Sequence, residues 1–155
     1  MERVPLLTQR RIEAAFAKGV YDEMVTAFGE EAARRVLANA VRRMARASGA
    51  ELARKAPAGA PDLKTFREIL KLWTEEDALS LDVLKSTEEE LHFNVTRCRY
   101  AEMYRAMGLA ELGGILSCNR DGALCEGYDP KLRLTRTQTI MEGAPYCDFR
   151  YRRTP

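Results

Sequence analysis

Residues 79–96 read LSLDVLKSTEEELHFNVT, and their alternation of apolar and polar side chains indicates two β-strands. Leu79, Leu81 and Val83 alternate with other residues ahead of the polar group 86–90, and the alternation returns at 91–96. A period of two residues is typical of a strand that buries one face. We therefore predict an antiparallel strand pair here and read the rest of the chain outward from it.

The sequence before this pair has the periodicity of helices. Thr8 is the expected N-cap of a first helix that ends at Gly29, and a second helix is expected over about residues 30–55. Two prolines and a glycine in residues 56–62 predict a linker, and Asp62 is the expected cap of a third helix. The predicted core positions of the first helix are Ile12, Ala15, Phe16, Val20, Met24 and Val25.

The sequence after the pair returns first to a helical period and then to a strand period. A short helix is expected over residues 99–107, ending at Gly108 in a left-handed cap, and another over about residues 110–126. The tail alternates over residues 131–141 and 146–152, around a turn at residues 142–145.

Two strand pairs separated by helices predict an α+β fold. We expect amino-terminal helices packed on a small antiparallel sheet of about four strands, with helices between the two hairpins. The length suits one domain over residues 1–155, with a helical half at 1–77 and a strand-rich half at 78–155.

Composition argues against several classes of function. The chain has 155 residues, 46% hydrophobic and 31% charged, and a net charge of +2 without a long basic block. Nucleic-acid binding through counterion release therefore has little support, and no apolar run approaches the roughly 20 residues that cross a bilayer. We expect a cytoplasmic protein with reduced thiols and with neither a nucleic-acid nor a membrane partner.

Two cysteines stand where a thiol could be reactive. Cys98 follows the second predicted strand and begins a predicted helix, where backbone N–H groups would lower the pKa of a thiol. Cys118 and Asp121 are three residues apart on a predicted helix and share a face, as a nucleophile and a general acid or base would. The alternatives are a small buried side chain at Cys98 and a helix surface with an ion pair at Arg120.

The last hairpin also carries polar side chains among apolar ones. If Met141 and Tyr146 are cross-strand partners at the turn, one face of this hairpin combines polar and apolar side chains. A guanidinium and an amide are costly in a core and suited to a ligand pocket, although this face is equally consistent with a solvated surface. That face holds Arg136 opposite Tyr151, Gln138 opposite Phe149 and Ile140 opposite Cys147.

A zinc site is the metal alternative. Cys98, Cys118 and Cys147 would have to meet from separate elements, with Asp121 or His92 as the fourth ligand. The chain has no Cys-x-x-Cys pair, and Cys125 is interpreted as incidental.

Three motifs carry a resemblance to a known family. They read FNVTRCRYAE from residue 93, LSCNRD from residue 116 and TRTQTIMEGAPYCDFRY from residue 135. Together, over about residues 90–152, they resemble the L-2-aminothiazoline-4-carboxylate hydrolase family. The chain also resembles, more distantly, vinyl-reductase-type small-molecule-binding domains, which share a helix-plus-antiparallel-sheet plan.

The family resemblance implies a hydrolase. Family members are described as adding water to open an aminothiazoline carboxylate, yielding an N-carbamoyl cysteine. We therefore expect a small-molecule substrate, a cyclic amidine or amide opened at a C–N bond, and no required cofactor, with zinc as the alternative. The expected catalytic residues are Cys98 or Cys118 as nucleophile, Asp121 as acid or base, and Glu142, Cys147 and Asp148, and the expected substrate-binding residues are Asn94, Arg136 and Gln138.

The competing interpretation is a non-catalytic module that holds a small molecule or a metal in the same cavity. The broad apolar stripes of the predicted helices also suggest a homodimer.

Overall fold

The computed structural model describes residues 3–57 and 60–155. The helices are α1 (Leu6–Phe28), α2 (Glu30–Arg54), α3 (Leu63–Leu70), α4 (Arg99–Ala106), α5 (Ala110–Gly113) and α6 (Asn119–Tyr128). The strands are β1 (Leu79–Ser86), β2 (Glu90–Cys98), β3 (Leu132–Thr135) and β4 (Cys147–Arg153). The predicted α+β class is confirmed, while the predicted linker at residues 56–62 includes Ala58 and Gly59, which lie outside the described residues.

The four strands form one antiparallel sheet in the order β1-β2-β4-β3. The two predicted strand pairs join because β4 lies between β3 and β2, with Phe93 opposite Phe149 and Asn94 opposite Asp148. This register places the rings of Phe93 and Phe149 on the inner face, stacked with centroids 4.9 Å apart. The inner face of the sheet therefore has an aromatic centre.

The predicted register of the last hairpin is wrong by two residues. Leu134, rather than Arg136, lies opposite Tyr151, and β3 ends at Thr135. A shift of two keeps each side chain on its predicted face because the period of a strand is two. Arg136 therefore still emerges on the inner face, but from a loop.

Side-chain acceptors explain why β3 ends early. The Asp148 carboxylate accepts hydrogen bonds from the backbone N–H groups of Thr137 at 2.9 Å and Gln138 at 3.0 Å. The Cys147 Sγ accepts another from the Ile140 N–H at 3.2 Å. These bonds replace the carbonyl partners that a longer ladder would have supplied.

Helix boundaries follow local capping chemistry in two cases and depart from prediction in a third. Asp62 caps α3, since its carboxylate accepts from the Thr65 N–H at 2.7 Å, and Gly108 adopts the predicted left-handed conformation at φ 71°. Thr8 is not a cap, because α1 begins at Leu6 after Pro5. Proline suits a helix start, since its φ is fixed and it has no N–H to leave unpaired.

The predicted helix over residues 110–126 is interrupted. A π-helical turn at Gly114–Cys118 separates α5 from α6, which continues to Tyr128. Such turns often occur at functional sites. This one ends at Cys118.

The inward face of α1 differs from the predicted one. Buried Arg10 and buried Arg120 share the Glu13 carboxylate at 2.9 and 3.0 Å, so an ion-paired face is turned inward. Local hydrophobicity cannot reveal an ion pair with a residue this distant in sequence. The predicted core residues Ile12, Phe16 and Val20 are instead exposed, at 63%, 78% and 42% of full exposure. The homodimer stays a prediction.

Two hydrophobic clusters form the core, and they meet around Trp73, Leu79 and Cys98. One lies between the sheet and helices α3 and α6, and the other lies among α1, α2, α4 and α5. Within the described residues, no helix combines the length and apolar character needed to cross a bilayer.

Helices α2 and α6 cross with their backbones in contact. A Cβ at Gly49 would collide with the Leu124 carbonyl oxygen, and one at Gly127 with the Arg46 carbonyl oxygen. The crossing requires glycine at both positions, and it sets the close approach of α2 and α6.

We predict that Gly127→Ala lowers the free energy of unfolding by roughly 1–3 kcal/mol, because backbone atoms must move apart. Gly19→Ala in α1 is the matched control, since a Cβ there meets nothing within 4 Å. It should raise stability by about 1 kcal/mol through helix propensity. Denaturant unfolding measures both, and equal effects of the two substitutions would contradict the close crossing.

Candidate functional site

A cavity lies between the inner face of the sheet and the helices that cover it. Its volume is about 60 Å³. One water needs roughly 10–15 Å³ on this scale, so the cavity suits a single small ring. The sheet side is lined by Phe93, Val95, Cys147, Phe149 and Tyr151, and the helix side by Trp73, Tyr100, Ser117, Cys118, Asp121 and Leu124. We call this space the central cavity.

An ion pair forms the polar end of the central cavity. Arg136 donates to Asp121 Oδ2 at 2.6 Å and to the Cys118 carbonyl at 3.0 Å. Its guanidinium carbon lies 4.9 Å from the ring centroid of Phe149. Arg136 therefore connects the end of β3, the π-helical turn and the first turn of α6.

Asp121 keeps one oxygen available to a ligand. Its Oδ1 accepts no hydrogen bond from the described residues, and the side chain is 19% exposed. Burial raises the pKa of Asp121, while the Arg136 charge opposes that rise. A carboxylate with a raised pKa is better matched to proton transfer near neutral pH.

Three thiols share the wall of the central cavity with this pair. Cys98 ends β2 and caps α4, Cys118 ends the π-helical turn, and Cys147 starts β4. The structure thus brings together five of the residues predicted to act on a substrate, and their roles stay predictions.

The expected activation of Cys98 is not found. The Ala101 N–H does donate to its Sγ at 3.4 Å, as the first turn of a helix should. Burial outweighs that bond and raises the pKa of Cys98 to about 11. Burial also raises the pKa values of Cys118 and Cys147 above the ordinary range, so all three thiols are neutral at pH 7.

Two predicted site residues lie on the opposite face of the sheet. Asn94 accepts a hydrogen bond from Arg150 at 3.0 Å, and Asp148 is its cross-strand neighbour. Although burial alone would raise the pKa of Asp148, hydrogen bonds from Thr137 and Gln138 hold it below the usual range. Asp148 therefore orders the loop after β3, and neither side chain lines the central cavity.

Two further predicted residues lie in an adjoining groove. Gln138 and Glu142 line an open depression of about 640 Å³, which we call the outer groove. The outer groove shares Cys118, Arg136 and Met141 with the central cavity. Cys125 lies in the core, where its Sγ donates to the Gly122 carbonyl.

Sequence reasoning missed several wall residues. The alternation predicts Phe93 and Val95 as strand residues but not as site residues, and only the pairing of β2 with β4 places them beside Phe149 and Cys147. Trp73 packs against both core clusters and also reaches the central cavity, and no local signal in the sequence shows this.

The thiols and carboxylates do not form a metal centre in the described residues. No group of three or more His, Cys, Asp or Glu side chains there is arranged to hold an ion. His92 lies 3.8 Å from Glu90, in the strand position opposite Arg150. The zinc alternative stays a prediction.

Two solved structures share the fold. The phenol-responsive sensory domain of the transcription activator PoxR, solved with phenol, has a TM-score of 0.55 and 19% identity over 90% of this chain and 73% of that one. Subunit 3 of a trafficking protein particle complex from Naegleria fowleri, covalently bound to palmitic acid, has a TM-score of 0.56 and 11% identity over 96% of both chains. At these identities the likeness concerns the fold.

Sequence comparison identifies the family. No curated protein matches the chain closely enough to transfer an activity. The family model for L-2-amino-thiazoline-4-carboxylic acid hydrolase matches residues 9–151, so the chain belongs to this family.

Proposed function

We propose that this protein hydrolyses a small cyclic amidine or amide whose ring occupies the central cavity. The observation that carries the proposal is Asp121, held by Arg136 through one oxygen, with its other oxygen free in a mostly apolar space. Such a space excludes bulk water and strengthens the interaction of a charged group with a bound ligand. Membership of a family named for a hydrolase supports the reaction class.

Asp121 would act as the proton carrier. It takes a proton from water as the water oxygen attacks the amidine carbon, and it passes that proton to the nitrogen that receives the C=N electron pair. It then takes the proton of the new hydroxyl group while the urea carbonyl forms. The departing ring atom receives this proton, so no other reactant is needed.

The product determines which bond breaks. A thiazoline ring that yields an N-carbamoyl amino acid keeps its carbon–nitrogen bond and loses its carbon–sulfur bond. The C–N cleavage expected from the sequence therefore applies to a cyclic amide or to a cyclic amidine without ring sulfur. In both cases the leaving atom needs the proton that Asp121 supplies.

Arg136 would bind the ligand carboxylate or the developing oxyanion. Its hydrogen bonds to Asp121 and to the Cys118 carbonyl use two of its N–H groups. The others can form charge-assisted bonds to a ligand. Contact with the Phe149 ring limits its motion and fixes the direction of those N–H groups.

We predict that Asp121→Asn lowers turnover of 2-aminothiazoline-4-carboxylate at least 100-fold, because an amide cannot accept the proton. Mass spectrometry of the N-carbamoyl product measures the rate. The matched control is Asp129→Asn, since Asp129 pairs with Arg153 at 2.7 Å away from the central cavity. Each variant should lose roughly 1.5–3 kcal/mol of stability, but the control should keep its turnover. Equal turnover in the two folded variants would contradict the role of Asp121.

The raised thiol pKa values favour water over a thiolate as the attacking group. We predict that iodoacetamide labels Cys98 about tenfold faster for each pH unit between 7 and 9, because its pKa is about 11. Peptide-resolved mass spectrometry gives the rate. A labelling rate that stops rising below pH 8 would show an activated thiolate. Loss of turnover in both Cys98→Ala and Cys118→Ala would support covalent catalysis by a thiol instead of attack by water.

A specific observation supports a second function, binding without turnover. The wall of the central cavity is mostly apolar and aromatic, with Phe93, Phe149, Tyr151 and Trp73 around it. The PoxR sensory domain, which shares the fold, was solved with phenol. Saturable binding of phenol, with no product from any cyclic amidine or amide, would favour this function over hydrolysis.

A further inference from the structure

The central cavity and the outer groove are separated by a wall of three side chains. Cys118, Arg136 and Met141 line both spaces. Arg136 is 16% exposed, and Cys118 and Met141 are partly exposed. The two spaces therefore adjoin at these side chains, and a ligand that reaches both must lie against Arg136.

The two spaces differ in size and in chemistry. The central cavity, at about 60 Å³, takes a small ring and has mostly apolar walls. The outer groove, at about 640 Å³, is lined largely by polar and charged side chains. A substituent longer than a carboxylate has little room in the central cavity, whereas the outer groove offers it polar groups.

The outer groove presents hydrogen-bond acceptors that the described residues leave unused. The Asn119 amide nitrogen donates to the Ala38 carbonyl at 3.0 Å, and the Gln138 amide nitrogen donates to the Tyr146 carbonyl at 2.9 Å. These bonds fix both amides. Their carbonyl oxygens accept no hydrogen bond from the described residues, so they are ready for N–H donors.

The charges of the outer groove are balanced. Arg34 and Arg136 are its cations, and Glu111 and Glu142 are its anions. A strongly charged substituent of either sign would therefore meet repulsion as well as attraction. The surface suits a short chain with an amide N–H donor and a single carboxylate, as in an N-acyl amino acid.

We propose that the outer groove is a second subsite for the ligand of the central cavity, which is a small ring bearing an amide-linked polar chain. This inference rests on one part of the proposed function, namely that the ring of the ligand occupies the central cavity. The carbonyl next to the ring accepts from Arg136, and the amide N–H beyond it donates to Gln138 or Asn119.

Two probes that resist ring opening test this directly. They are 2-aminothiazole-4-carboxylate, called the short probe, and the amide that its carboxyl group forms with the amino group of glycine, called the glycine amide. Both are titrated into the intact protein by calorimetry. We expect the glycine amide to bind about tenfold more tightly, because it adds hydrogen bonds in the outer groove. Gln138→Ala and Asn119→Ala should each weaken binding of the glycine amide by about three- to tenfold. Neither substitution should change the affinity for the short probe.

The matched control is Asn94→Ala, which removes an amide from the opposite face of the sheet and should affect neither probe. If the short probe binds but the glycine amide gains nothing, or if both variants weaken the two probes equally, the second subsite is overturned and the proposed function stands. If neither probe binds, the proposed function and the second subsite fail together.

Discussion

The ion pair between Arg136 and Asp121 determines how the sheet and helix α6 meet. Arg136 follows β3 immediately and Asp121 lies in the first turn of α6, so their 2.6 Å contact closes one end of the central cavity. The same guanidinium holds the Cys118 carbonyl and lies against Phe149. Removing one member would leave the other charge largely buried without a partner, which is more costly than losing an exposed pair.

The apolar surroundings of that pair decide which groups can react. Burial keeps the thiols of Cys98, Cys118 and Cys147 protonated, and it raises the pKa of Asp121 toward the range where a carboxylate can exchange protons. Water activated by a carboxylate therefore fits this environment better than a thiolate does. The small volume of about 60 Å³ adds a second constraint, since it limits the ligand to a small ring.

The sequence predicts the parts of the fold that local chemistry controls. Asp62 begins α3 and Gly108 follows the end of α4 as expected, because caps act over a few residues. The alternation of Leu91, Phe93 and Val95 fixes the inner face of β2. The exposed row on α1 and the short β3 were missed, because Glu13 binds Arg120 and Asp148 binds the 137–138 backbone across long sequence separations. At the candidate site, the motif residues Cys98, Cys118, Asp121, Arg136 and Cys147 line one cavity. Asn94 and Asp148 do not, because the period-two alternation of β2 and β4 turns them to the face opposite Phe93 and Phe149.

The most direct measurement is a crystal structure of the protein with 2-aminothiazole-4-carboxylate. We predict that the ring lies between Phe149 and α6, within hydrogen-bonding distance of Asp121 Oδ1, with its carboxylate on Arg136. A ring bound elsewhere, with the Arg136–Asp121 contact unchanged and the central cavity empty, would contradict the assignment of this cavity as the ligand site.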